Sequence, residues 1–306
     1  MEMKRGISDS MTEFEDAVEK AFHTFGELQT MEDGIVADDM FVYKRRKRKN
    51  KDAEQFRREH DGKFSPHLGF VEPHPFSDGY ILSEEICLSL NSYEPFELKE
   101  IGETLRDIHE EGKEYQSSGR LDKYCYDKKW QNWELVMENN HTTLEYNALQ
   151  KRQEFYDEFE GLIDNVSSEY WNQSQFCHRD FHLGNIVESS GNRGIVATDW
   201  EFADLFYPGI EVARMSMDVT DRSHPKHMKY FLSGYIEQDD DMDFYRSALG
   251  QYANYLTFNV FPFDRDYSVE KKESLISDRD RYLETMKEER GNYLDSVSNV
   301  LFHKNK

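Results

Sequence analysis

One segment, residues 176–203, constrains this chain more than any other: FCHRDFHLGNIVESSGNRGIVATDWEFA. Within it Asn185 stands five residues after Asp180, and Asp199 stands nineteen residues after Asp180. Apolar residues flank the turn-forming stretch 189–194 on both sides, which predicts a hairpin of two short strands. We expect that hairpin to bring Asn185 and Asp199 to the same end of a sheet.

These residue types and spacings are typical of phosphoryl-transfer sites, although each residue alone has ordinary uses in turns and caps. In such sites an Asp orients or deprotonates the acceptor hydroxyl, and hard oxygen ligands hold the divalent metal that neutralises the phosphates. We therefore assign Asp180 as the base or orienting group, and Asn185 and Asp199 as metal ligands. His178 is expected to support the catalytic loop through hydrogen bonding.

The stretches HRDFHLGNIV and TDWEFADLFYPGIEVAR resemble the Brenner-type signature of the aminoglycoside phosphotransferase and choline kinase superfamily. His182 follows Asp180 by two residues, as in the HxDxHxxN form of that signature; we expect it to support or pack the loop. Glu211 stands where the family usually has the Asp of Pro-x-x-Asp-Leu-Ala. Residues 105–112, LRDIHEEG, resemble the Leu-x-x-Leu-His-x-x-Gly element, in which we interpret His109 as structural.

The resemblance implies an α+β, protein-kinase-like fold of two lobes. A small N-terminal lobe with an antiparallel sheet is expected over residues 1–87, and a mostly helical catalytic and substrate lobe over residues 88–306. ATP and Mg²⁺ would bind between the lobes, and the acceptor would be a hydroxyl of an aminoglycoside, a choline-like amino alcohol or a sugar.

The spacing after Asp199 favours a small-molecule acceptor over a protein. Only residues 200–207 lie between Asp199 and Pro208, which leaves no room for the activation segment of a protein kinase. Arg179, an arginine typical of protein kinases, keeps an atypical protein kinase as an alternative. We expect Arg179 to form a structural ion pair.

The N-terminal third offers a candidate phosphate ligand. Met40–Lys44 alternates like the kinase strand that ends in a phosphate-binding lysine, so Lys44 is assigned that role, although it also opens a basic run. Glu54 and Glu59, on the helix expected over residues 52–60, are both candidate partners of Lys44. There is no GxGxxG motif; the turn at residues 32–34 is the candidate phosphate cover, and the missing motif keeps a pseudokinase-like binding module as a further alternative.

Two strands are expected after Pro66, at HLGFVE and at YILSEEICL (residues 80–88), separated by turn signals. The second is expected to lead into an interlobe hinge, where backbone groups near residues 85–87 would face adenine. A helix is expected over residues 95–112.

The chain is strongly acidic, with 61 Asp and Glu against 38 Lys and Arg, a net charge of −23. This charge argues against a nucleic-acid partner. It also suggests a cationic acceptor, with residues 237–243 (EQDDDMD) as a candidate wall of its site; the alternative is a solvated loop. Trp130 and Trp133 are candidates for cation–π contacts or for helix packing.

Three separated cysteines form no pair with metal-ligand spacing, which indicates a reducing, cytoplasmic setting. No apolar run reaches the length of a membrane span, and the first ten residues lack the apolar region of a secretory signal. The sequence does not indicate an oligomeric state.

Overall fold

The computed structural model describes these residues of the chain: 11–22, 28–32, 35–46, 50–60, 62–76, 79–90, 93–115, 143–167, 169–170, 173–189, 194–258 and 269–304. The chain divides into two compact units. The first consists of Met1–Asn91 and Ile186–Phe202, and the second of Ser92–Asn185 and Ala203–Lys306. A single cut after residue 87 does not reproduce this division, because the β8–β9 hairpin described below groups with the first unit.

The regular elements of the two units follow the chain order. The strands are β1 (Gln29–Glu32), β2 (Ile35–Ala37), β3 (Phe41–Arg46), β4 (Leu68–Pro73), β5 (Tyr80–Glu85), β6 (Cys87–Ser89), β7 (Gln175–Cys177), β8 (Ile186–Ser189), β9 (Ile195–Ala197) and β10 (Asp204–Phe206). The α-helices are α1 (Met11–Ala21), α2 (Lys51–Glu59), α3 (Pro95–Glu114), α4 (Thr143–Asp164), α5 (Pro208–Arg222), α6 (Met228–Tyr235), α7 (Met242–Phe258) and α8 (Val269–Lys304).

A five-stranded antiparallel sheet in the order β1-β2-β3-β5-β4 forms the base of the first unit. Side chains on β3 alternate between its two faces. Tyr43 is buried in an apolar core with Phe14 and Val18 of α1, and its hydroxyl donates to Asp38 at 2.7 Å. Lys44 therefore points to the opposite face of the sheet.

The expectation of one strand over residues 80–88 was wrong. Strand β5 pairs with β3 and β4 and ends at Glu85, whereas β6 belongs to a second sheet in the order β6-β8-β9. The chain changes partners at Ile86, whose N–H donates to the Met40 carbonyl at 3.1 Å. The hairpin of β8 and β9 forms as predicted, with Ile186 opposite Ala197.

The second unit is mostly helical, with β7 and β10 as a small antiparallel pair. Helix α3 begins with a capping box between Glu94 and Glu97. It packs closely against α6: a Cβ on Gly102 would collide with the Phe231 carbonyl, and one on Gly234 with the Lys99 carbonyl. The two glycines thus permit a contact between helix backbones.

The architecture is α+β, with small antiparallel sheets and a helical second unit, as the sequence predicts. Helices α2 and α3 lie within two residues of their expected bounds. The predictions for Trp130 and Trp133 fall outside the described residues, as do residues 33 and 34 of the phosphate-covering turn expected at residues 32–34. No helix among the described residues combines the length and apolar character of a membrane span.

Candidate functional site

Residues 178–185 of the second unit, the loop predicted to be catalytic, are held together by hydrogen bonds. Strand β7 leads directly into His178, which is fully buried and whose Nδ1 accepts from the Asp180 N–H at 3.2 Å. The Asn185 side chain closes the loop, because its Nδ2 donates to the Asp180 carbonyl at 3.0 Å and to Asp180 Oδ2 at 3.1 Å. The Asn185 amide is thereby oriented, with Oδ1 as the atom that a hard cation would take.

Asp180 has two cationic or polar neighbours that fix its carboxylate. Arg214 of α5 lies 2.8 Å from Oδ1, and His182 Nε2 lies 3.6 Å from Oδ2. Burial of the carboxyl opposes ionisation, yet the His182 contact and the charge of Arg214 hold the pKa of Asp180 well below its ordinary value of 3.8. A carboxylate with such a low pKa is a weak proton acceptor. The low pKa of Asp180 therefore favours the orienting role over general-base catalysis.

Sequence reasoning missed Arg214. The available signal is an arginine inside VARMSM, a stretch of α5 with no other charged residue, where a buried cation requires a partner.

Glu211 of α5 stands where the family resemblance would place an Asp. It holds the backbone of the loop 178–185. Its carboxylate accepts from the Arg179 N–H and contacts His109 Nε2 at 3.0 Å, while His109 Nδ1 lies 2.8 Å from the Tyr235 hydroxyl. A second anchor is Asp218 on the same helix, which accepts from the Leu183 N–H at 2.7 Å. His109 is therefore structural, as the sequence indicates.

The expected ion pair of Arg179 is not present among the described residues. The guanidinium lies 5.0 Å from the ring centroid of Phe206 on β10 instead. The Arg179 backbone has a φ of 69°, a left-handed conformation that non-glycine residues rarely adopt. The anchor from Glu211 stabilises this turn, and the aromatic contact satisfies the side chain.

One buried cluster in the second unit has metal-ligand residue types. Single ligand atoms of His109, Cys177 and Glu211 lie within 4.8 Å of one another. Burial raises the pKa of the Cys177 thiol, so it stays protonated and is a poor ligand, while His109 and Glu211 are already joined to each other. The cluster is best explained as support for the loop.

In the first unit, the candidate phosphate ligand Lys44 is paired with Glu84 of β5. Lys44 Nζ lies 2.9 Å from Glu84 Oε2, and Arg57 of α2 lies 2.7 Å from Glu84 Oε1. The expectation that Glu54 or Glu59 supplies the partner was wrong. Val42 on β3 lies opposite Glu84, so Glu84 is diagonal to Lys44 on the same face of the sheet.

The Lys44–Glu84–Arg57 network is buried, with the Arg57 and Glu84 side chains each only 3% exposed. Burial of Glu84 opposes its ionisation, but the charges of Arg57 and Lys44 lower its pKa to about 2. Arg57 also donates to Ser65 Oγ and to the Pro66 carbonyl, both at 3.0 Å. Helix α2 therefore contributes a cation to this network, and β5 contributes the acid.

Asp199 follows β9 in the same unit and lies among basic groups. Arg46 pairs with its Oδ1, and Lys44 Nζ is 3.9 Å from the same oxygen. Its φ of 65° is also left-handed. The next residue, Trp200, stacks on Phe56 of α2 at 5.6 Å and donates to the Ala197 carbonyl at 2.7 Å, which fixes the turn.

Each predicted metal ligand is of a type that suits the metal implied by the sequence. Asp199 in the first unit offers a carboxylate and Asn185 in the second an amide oxygen, and both are hard ligands of the kind that Mg²⁺ takes. The basic groups beside Asp199, from Lys44 and Arg46, are suited to phosphate oxygens.

The segment expected to face adenine is partly engaged in backbone pairing. The Glu85 N–H donates to the His67 carbonyl at 3.0 Å and the Ile86 N–H donates to the Met40 carbonyl. The N–H groups of Glu85 and Ile86 are therefore not available as donors to adenine, contrary to the expectation for residues 85–87.

The acidic segment 237–243 lies at a different cavity from Asp180. Glu237, Asp239, Asp240 and Asp241 line a cavity together with Arg106 and Lys113, and Asp180 is not among its lining residues. Asp240 is also tied to the segment itself, through the Glu237 N–H and the Tyr245 hydroxyl. The structure therefore does not support this segment as a wall of the acceptor site at Asp180.

Comparison with known proteins identifies the family. The family model of the phosphotransferase enzyme family matches residues 90–247, just over half of the chain. None of the curated protein sequences matches significantly.

Solved structures show the same fold at low sequence identity. An aminoglycoside phosphotransferase from Alicyclobacillus acidocaldarius aligns with a TM-score of 0.55 and 14% identity, over 94% of this chain and 96% of the other. Choline kinase LicA from Streptococcus pneumoniae aligns with 0.55 and 15%, over 86% and 95%. The amicoumacin kinase hAmiN in complex with AMP-PNP, Ca²⁺ and Ami aligns with 0.53 and 12%, over 86% and 90%.

This chain resembles these kinases over most of its length. The part that the family model matches includes the loop around Asp180, its buried partners Glu211 and Asp218, and the turn at Asp199. The chain belongs to the phosphotransferase enzyme family and has the protein-kinase-like fold of aminoglycoside phosphotransferases and choline kinases.

Proposed function

We propose that the chain is an ATP- and Mg²⁺-dependent kinase that transfers the γ-phosphate to a hydroxyl group of a small molecule. The observation that carries the proposal is the arrangement of Asp180, whose carboxylate is held ionised by Arg214 and bonded to the Asn185 amide. Phosphoryl transfer depends chiefly on positioning and charge neutralisation, and this arrangement supplies a fixed anion for the acceptor hydroxyl.

Each assigned residue has a defined task. Asp180 accepts a hydrogen bond from the acceptor hydroxyl and aligns its oxygen with the phosphate. Lys44 binds phosphate oxygens and is kept in place by Glu84. Asn185 and Asp199 would hold Mg²⁺, which when bound neutralises charge on the phosphates. His178 and Glu211 hold the backbone of the catalytic loop.

Two observations favour a small acceptor over a protein. The chain has only eight residues between Asp199 and Pro208, so it has no activation segment to dock a polypeptide. Arg179, the one residue that favoured a protein kinase, lies over the Phe206 ring and has no activation-loop phosphate to receive. The complex of amicoumacin kinase with AMP-PNP and Ca²⁺ supports the use of a nucleotide and a divalent cation by this fold.

Phosphate transfer from labelled ATP to a panel of amines, sugars, amino alcohols and hydroxy acids tests the proposal. We expect transfer that requires Mg²⁺ and that falls about a hundredfold or more in Asp180→Asn, with ATP binding nearly unchanged. Asp199→Ala is expected to lose Mg²⁺-dependent ATP binding and activity together. The matched control is Asp295→Asn, at an exposed position of α8. Wild-type turnover in Asp180→Asn, or transfer without a divalent metal, would refute the proposal.

A further inference from the structure

A cavity of about 360 Å³ in the second unit has Asp180 in its wall. Helices α5, α7 and α8 supply the other lining residues, which include Tyr252 and three arginines, Arg214, Arg222 and Arg281. The volume lies at the small end of the range of about 300–1,000 Å³ that is usual for small-molecule sites. A hydroxyl compound in this cavity would meet the carboxylate of Asp180, so it is the candidate acceptor site.

The charge of the lining differs from that of the chain. Three guanidinium groups face two carboxylates, those of Asp180 and Asp278, although acidic residues outnumber basic ones by 61 to 38 overall. All three arginines pair with an aspartate, but through different nitrogens. The terminal nitrogens of Arg214 are engaged by Asp180 and the Arg179 carbonyl. Arg222 and Arg281 contact their aspartates through Nε.

Arg222 is held by a buried aspartate. Its Nε donates to Asp218 Oδ1 at 2.9 Å, and its Nη1 lies beside Gly184 of the catalytic loop. Asp218 is buried and also holds the Leu183 N–H, so this guanidinium is positioned relative to the loop that carries Asp180. Within the described part of the chain, the Nη groups of Arg222 donate to no other residue.

Arg281 has a comparable arrangement on α8. Its Nε lies 3.3 Å from Asp221 Oδ2, and its guanidinium lies over the Tyr282 ring. A guanidinium that is held at Nε can still bind a carboxylate or a phosphate with its terminal nitrogens, in the bidentate geometry that arginine favours. Two such groups in the cavity of Asp180 provide recognition for an oxyanion.

We propose that the acceptor is a compact hydroxyl compound that carries a carboxylate or phosphate group, bound by Arg222 and Arg281 while its hydroxyl contacts Asp180. This inference rests on the proposed function and replaces the cationic acceptor that the overall charge suggests. The acidic segment 237–243, which suggested a cationic acceptor, lines another cavity.

Matched acceptors test the inference with the intact chain. Two series share one skeleton each: glycerol, glycerate, glycerol 3-phosphate and 3-amino-1,2-propanediol; and glucose, glucuronate, glucose 6-phosphate and glucosamine. We expect kcat/KM to be at least about tenfold higher for an anionic member than for the neutral and cationic members of its series. Within each series, comparison of the carboxylate with the phosphate compound shows which of the two anionic groups the cavity recognises.

Variants of the two arginines locate the effect. Arg281→Gln and Arg222→Gln are expected to raise the KM of the anionic acceptor about tenfold or more, with the KM of ATP unchanged. Arg222→Lys keeps the charge and is expected to recover part of the affinity, which separates binding from damage to the buried Asp218. Arg246→Gln, at an exposed arginine of α7, is the matched control.

The outcomes are distinct. Preferred phosphorylation of a neutral or cationic member, or unchanged acceptor KM in both arginine variants, overturns the inference and leaves the proposed kinase function intact. No transfer to any member of either series overturns the inference, and if ATP turnover is also equal in the wild type and Asp180→Asn, the proposed function fails with it.

Discussion

Lys44 Nζ lies 2.9 Å from Glu84 Oε2, so the acidic partner of this lysine comes from the adjacent strand and not from helix α2. The other carboxylate oxygen of Glu84 is held by Arg57 of α2. This helix therefore contributes a positive charge to the network and not the negative charge of Glu54 or Glu59 that was expected. Helix α2 is thereby linked to Lys44 through the Arg57–Glu84 contact. If α2 moved and displaced Arg57, Lys44 would be the remaining partner of Glu84 in this ion-pair network.

The first prediction concerns Glu84 as the residue that positions Lys44. Glu84→Gln removes the charge that fixes the lysine, so we expect the KM of ATP to rise about tenfold, with a smaller change in the acceptor KM. Steady-state kinetics with each substrate varied in turn provide the measurement. The matched control is Glu72→Gln on the exposed part of β4. Normal ATP kinetics in a folded Glu84→Gln would show that Lys44 needs no fixed partner.

The second prediction concerns acid stability. The folded-state pKa of Glu84 is about 2, below its ordinary value of 4.5, so the unfolded chain binds this proton first as the pH falls. The stabilisation is complete above about pH 5 and is lost as the pH falls from 4.5 towards 2, with a full size of about 3 kcal/mol. Urea unfolding of the wild type and Glu84→Gln at pH 7, 5, 4 and 3 should show a converging difference in free energy. A difference that stays constant would contradict the assigned pKa.

The third prediction concerns Arg214 as a positioning residue for Asp180. In the wild type Asp180 stays ionised well below its ordinary pKa of 3.8, so it should give no acid limb in kcat above about pH 5. In Arg214→Met the burial of Asp180 is no longer offset by that charge, and the pKa rises. We expect lower kcat and an acid limb shifted upward in the pH–rate profile. A change in thermal stability with an unshifted profile would assign Arg214 a structural role only.

Local signals carried the predictions that the structure confirms. The β8–β9 hairpin follows from apolar residues on each side of SSGNRG, and α3 begins where a proline stands at its first position. Both depend on residues close together in the chain, so one sequence suffices to find them.

The predictions that failed depend on contacts between distant residues. Lys44 and Glu84 are brought together by the β3–β5 register, and nothing in the sequence near Lys44 selects β5 over α2 as the source of its partner. Likewise, the acidic stretch 237–243 is recognisable in the sequence, but the cavity that it lines depends on the packing of α3 and α6. The assigned roles of Asp180, Asn185, Asp199 and His178 stay predictions until activity is measured.

The last prediction uses glycines to test the packing of α3 against α6. Gly102→Ala would place a Cβ against the Phe231 carbonyl, and Gly234→Ala against the Lys99 carbonyl; both neighbours are helix backbone and cannot rotate away. We expect each variant to lose about 1–3 kcal/mol of unfolding free energy, because the helices must separate.

Gly161 in α4 and Gly291 in α8 are the matched controls, since an added Cβ has open space at both positions. Alanine there removes backbone freedom from the unfolded chain and should stabilise by about 0.5–1 kcal/mol. Denaturant unfolding of the four variants measures the contrast. If Gly102→Ala and Gly234→Ala were as stable as the controls, α3 and α6 could not be in backbone contact, and the support that Tyr235 and His109 give to Glu211 would have to come from a different packing of these helices.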